Sequence, residues 1–135
     1  MSANGFPKML RLAMSILCLL TTPAHAVKWT VTDLGRLQKS QHCMEAASRT
    51  FQSLMGEARI ARLSASGWVT FADGINGSHD ALIICGEIGF SGARATLVMH
   101  GQDASVEGLM LHRRITGIFE NQAARVTQAW RDSLN

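Results

Sequence analysis

The sequence lacks the compact motifs that would name a chemistry. It has no C-x-x-C pair, which excludes a dithiol redox couple and the C-x-x-C-H of haem attachment. Its cysteines and histidines do not fall at zinc-ribbon or zinc-finger spacing. The oxygen-rich stretch ADGINGSHD (72–80) lacks the spacing and terminal glutamate of an EF-hand, so it reads as a solvated hairpin turn. GEIGFSG (86–92) is followed by no Lys-Ser/Thr, so it is no phosphate loop. GFSGA (89–93) has its second glycine out of place for a nucleophile elbow. There is no basic stripe of the kind nucleic-acid binding needs, no internal repeat, and no low-complexity linker. Beyond residue 20 no apolar run is long enough to cross a bilayer, which takes about 20 helical residues.

What is present begins with an export pattern. Lys8 and Arg11 precede the apolar LAMSILCLL (12–20), and TTPAHA (21–26) follows with Ala24 and Ala26 at the small-residue positions. The order of basic, apolar and small segments predicts a signal peptide over 1–26. Cys18 lacks the small residues before it that lipidation wants. The remaining chain, 27–135, is a single small domain without a transmembrane anchor after cleavage. Removing Lys8 and Arg11 from 13 basic residues leaves 11 against 10 acidic ones, so the domain is nearly neutral. The expected location is the periplasm or the extracellular space.

Periodicity predicts an α+β fold. Residues 29–63 read as a long N-terminal helix, capped by Thr32 or Asp33, with Leu37, Met44, Phe51 and Met55 on one stripe. Three strands follow, at 68–71, 81–88 and 94–100, as an antiparallel meander. The run 81–85 is apolar on both faces, which predicts a central strand. Residues 105–112 are left open between a fourth strand, after a hairpin at 101–104, and an irregular start to the last helix. That helix is expected from about 115 to 134 and closes the domain.

Two cysteines remain after cleavage, Cys43 and Cys85. An oxidising compartment and a small domain predict a disulfide between them. His42 adjoins Cys43, but neighbouring helical side chains point about 100° apart. A Cys–His catalytic pair is therefore not supported here. Methionine and histidine recur together, and Met99, His100, Met110 and His112 are candidates for a copper-type metal site. Trp68, Leu82, Ile84, Arg113 and Arg114 are candidates for partner binding. Leu82 and Ile84 lie on the strand face opposite Cys85, where an uncovered apolar surface would serve a protein partner or self-association.

Taken together these features predict an exported, non-enzymatic binding or accessory domain with one disulfide and no cofactor. A Met/His metal-binding protein is the first alternative. A small enzyme is the second, with His79, Asp80, Glu87 and His100 as the residues to inspect.

Overall fold

The computed structural model describes residues 28–101 and 105–135. The proposed signal peptide and most of the 101–104 hairpin therefore lie outside the described residues. Five strands form one antiparallel sheet in the order β1-β5-β4-β3-β2. They are β1 (Lys28–Leu37), β2 (Arg62–Ser66), β3 (Val69–Ile75), β4 (His79–Glu87) and β5 (Ala93–Gly101). Helix α1 (Ser40–Met55) follows β1, and helix α2 (Val106–Asp132) ends the chain. Both helices pack on one face of the sheet and against each other.

This architecture corrects the expected one. Among the described residues there is no long N-terminal helix, and the sheet has five strands rather than three or four. Residues 28–37 form β1, an edge strand paired with β5 in the register Trp29↔His100 and Thr30↔Met99. The run Trp29, Thr30, Val31, Thr32 is aromatic and β-branched, which suits a pleated surface. Leu37 shares the core with α1 because it sits at the inner end of β1, opposite Ala93. Its seven-residue spacing from Met44 therefore joins two elements and does not mark one helix. Thr32 and Asp33 cap no helix. The Thr32 hydroxyl meets His112, and the Asp33 carboxylate accepts from the Gly35 N–H at 2.9 Å.

Helix α1 is shorter than expected and is rotated from the expected stripe. It buries His42, Cys43, Ala46, Ala47, Thr50, Phe51 and Leu54, while Met55 is exposed. The last two residues of the expected helix, Arg62 and Leu63, instead open β2, hydrogen-bonded along β3. Trp68 lies outside the strands, exposed between β2 and β3.

β4 is the central strand, as its double-sided apolar run implies. Ala81, Ile83 and Cys85 face the helices and are buried; Leu82 and Ile84 face the other way and are half-buried. The β3–β4 turn uses Asn76 at φ 52° and Gly77 at φ 80°, the left-handed conformations that Asn-Gly supplies.

Cys43 and Cys85 form the predicted disulfide, with their Cα atoms 5.8 Å apart. Both are fully buried. The bond joins the first turn of α1 to the central strand and so fixes the helix layer on the sheet. His42 packs its ring against Trp130 of α2, 5.6 Å between centroids.

The segment 105–112 is helical. Ser105 caps α2, its hydroxyl accepting from the Gly108 N–H at 3.2 Å. Glu107 in the first turn and Arg131 in the last complement the helix dipole. Leu111, Ile115, Phe119 and Val126 form the buried face. Val106, Leu109 and Met110 are exposed, which is why they fit no core-facing stripe.

A candidate binding cleft under the start of helix α2

The first turns of α2 overhang the end of the sheet where β1, β5 and β4 meet. A cleft of about 390 Å³ opens there. Lys28, Thr30 and Thr32 line it from the inner face of β1, and Met99 from β5. His79 lines it from the start of β4, and Ser105, Val106, Leu109 and His112 from α2. The size lies within the roughly 300–1,000 Å³ of small-molecule sites.

Its polar groups are placed by the fold. The Thr32 hydroxyl and His112 Nε2 are 2.7 Å apart, which ties β1 to α2 at one end of the cleft. His79 is buried, and its Nδ1 lies 2.8 Å from the Ser78 hydroxyl. Its Nε2 has no hydrogen-bond partner among the described residues. His42 Nδ1, Thr70 Oγ1 and Thr116 Oγ1 are buried in the same state, so it is not particular to the cleft. Gly108 explains how the imidazole fits. A Cβ at 108 would stand 2.9 Å from His79 Nε2, so the bare glycine lets the first turn of α2 close over the ring.

Apolar groups complete the wall. Met99 is buried beneath the cleft, while Val106 and Leu109 stand exposed at its rim. No aspartate or glutamate lines it among the described residues. The cleft sets the Thr32–His112 pair, His79 and Lys28 beside an apolar wall, and so can hold a ligand by hydrogen bonds and apolar contact.

The candidate residues read from sequence are distributed as follows. Met99 and His100 are neighbours on β5 and so point to opposite faces of the sheet. His112 faces the cleft, whereas Met110 is exposed and does not line it. The four do not meet on one side of the sheet. Among the described residues no group of three or more His, Cys, Asp or Glu gathers to hold a metal.

His79, Asp80, Glu87 and His100 do not converge either. His79 lies on the helix side. His100 packs on Trp29 on the outer face, 4.4 Å between ring centroids, with Asp80 Oδ2 3.6 Å from its Nδ1. Glu87 is exposed at the far end of β4.

Leu82 and Ile84 stand on the outer face with Phe71, Val98, Trp29 and Val31. Trp29 and Val31 are exposed there, and both helices lie on the other side. Arg114 is paired with Glu57 and links α2 to the segment after α1, while Arg113 faces solvent.

Sequence reasoning missed the cleft, though it left a trace. Val106, Leu109 and Met110 are apolar yet out of phase with the core face of α2. Two of the three line the rim. No protein-family model and no curated protein matches the sequence.

Proposed function

We propose that the protein is an exported, non-enzymatic binding domain whose ligand site is the cleft beneath the start of α2. The observation that carries this is the cleft itself: the Thr32–His112 pair, Lys28 and the apolar Met99, Val106 and Leu109 line one space of about 390 Å³. The basic, apolar and small order of residues 1–26 supports export, and so does the disulfide, which is typical of oxidising compartments. No helix among the described residues is long and apolar enough to cross a membrane.

The test is titration of the domain (residues 27–135, disulfide intact) with the neutral fluorophore N-phenyl-1-naphthylamine. Saturable binding at one site is expected. Val106→Glu and Leu109→Glu place a charge on the exposed apolar rim and should each weaken binding about tenfold, with the thermal midpoint unchanged. Absence of saturable binding, or indifference to both substitutions, contradicts the proposal.

A second reading follows from the outer sheet face. Trp29 and Val31 are exposed there beside half-buried Phe71, Leu82, Ile84 and Val98. Apolar faces of this kind mark association sites. The occupant this reading commits to is a second copy of the chain, set face to face. Asp33–Arg94 and Asp73–Arg62 pair their charges on that face, and Asp80 lies beside His100, so neither sign of charge dominates it. Sedimentation equilibrium should show a dimer that Leu82→Glu dissociates. A monomer at all concentrations would contradict it.

A further inference from the structure

We infer that the cleft is filled by a second copy of this chain, whose Phe90 enters it from the turn between β4 and β5. This rests on the cleft being a binding site and names its occupant.

The turn presents Phe90 by construction. Gly89–Ser91 form a 3-10 turn, and the Ile88 N–H donates to the Gly92 carbonyl at 2.8 Å across its base. Gly92 lies tight against the Leu37 and Gln38 backbone, which fixes that base on the end of β1. Phe90, at the tip, is fully exposed. Phenylalanine has one of the largest apolar side chains, so leaving it in water forfeits a large transfer energy. A partner that takes the ring recovers it.

The matching receptacle lies at the other end of the same sheet. β4 runs from His79, which lines the cleft, to Glu87 beside the turn, and its nine residues span about 30 Å. Within one molecule Phe90 therefore cannot reach the cleft. The cleft is large enough for a benzyl group, with Met99 buried beneath it and Val106 and Leu109 exposed at its rim. The charges match as well. Lys28 lines the cleft, and Glu87 is exposed at the base of the turn. Glu107 on the first turn of α2 and Lys39, next to the Gln38 backbone that touches the turn, make a second pair of opposite sign. A contact between two different patches is heterologous, and it repeats head to tail without the two-fold closure of a face-to-face dimer.

The experiment is analytical ultracentrifugation of the disulfide-intact domain over a wide concentration range. The mean mass should rise with concentration and pass beyond the dimer. Phe90→Ser should weaken association about tenfold with the thermal midpoint unchanged. Leu109→Glu should weaken it similarly, and excess N-phenyl-1-naphthylamine should reverse it. The sharpest arm is mixing. Phe90→Ser keeps the cleft and Leu109→Glu keeps the turn. Each alone should stay monomeric where their equimolar mixture forms a heterodimer and grows no further.

A monomer at all concentrations, or a mixture without heterodimer, overturns the inference. Association that Leu82→Glu removes and Phe90→Ser does not also overturns it, in favour of the outer-face dimer. In either case, saturable N-phenyl-1-naphthylamine binding that Leu109→Glu weakens leaves the cleft standing as a binding site. Without such binding the cleft itself is contradicted.

Discussion

Replacing Cys43 and Cys85 together by alanine should lower the stability of the domain by about 4 kcal/mol. The bond spans 42 residues of sequence. In the unfolded chain it holds together ends that would otherwise explore a large volume, and the folded state bears none of that loss. The fold amplifies the effect. Cys85 is on the central strand and Cys43 opens α1, so the bridge fixes the helix layer to the middle of the sheet. Both sulfurs are fully buried, and their removal also leaves unfilled space in the core. Small domains have roughly 5–15 kcal/mol in total. The thermal midpoint should therefore fall by about 20 °C. Melts of the double variant, and of the native domain with and without reductant, measure this. A fall of only a few degrees would show that α1 is held by packing alone.

Gly92→Ala should cost about 3 kcal/mol, for two reasons that act together. Gly92 has φ 108° and ψ −151°, a conformation essentially restricted to glycine. An added Cβ would also lie 2.2 Å from the Leu37 carbonyl oxygen and 3.1 Å from the Gln38 carbonyl group. Those are backbone atoms at the end of β1 and cannot swing aside as a side chain would. Relief requires moving either the β1–α1 junction or the start of β5, and β1 and β5 are paired there through Leu37↔Ala93. Gly86→Ala is the matched control. Gly86 has no positive φ and open space around its Cα, so its substitution should change stability by less than about 0.5 kcal/mol. Chemical denaturation of the two variants separates the cases. Equal stabilities would remove the close approach as an explanation.

The elements legible in the sequence are those whose signal is local. β4 announces itself by five apolar residues on both faces, and the β3–β4 turn by Asn76-Gly77. The disulfide was legible because Cys43 and Cys85 are the two cysteines beyond residues 1–26. β1 was hidden because its partner, β5, lies about 70 residues away. Its pattern is also inverted, with Trp29 and Val31 pointing out and Thr30 and Thr32 pointing to the helices. An apolar-in rule assigns such a strand to the wrong face, and the adjoining helix then absorbs it. The start of β2 is absorbed from the other side, since its RLSAS run carries little strand propensity.

The site was less legible than the fold. Lys28, Thr32, His79 and His112 come from three separated elements, and nothing in their spacing joins them. Only the misfit of Val106 and Leu109 with the helical core face pointed there. Apolar residues off the buried stripe are a sign that a helix has a second apolar task.

The most direct test of the binding cleft is methyl NMR of the domain titrated with N-phenyl-1-naphthylamine. Shifts should concentrate on Met99, Val106 and Leu109, with Leu82, Ile84 and Val98 of the outer sheet face unmoved. Shifts confined to the outer face, or none at all, would contradict the account.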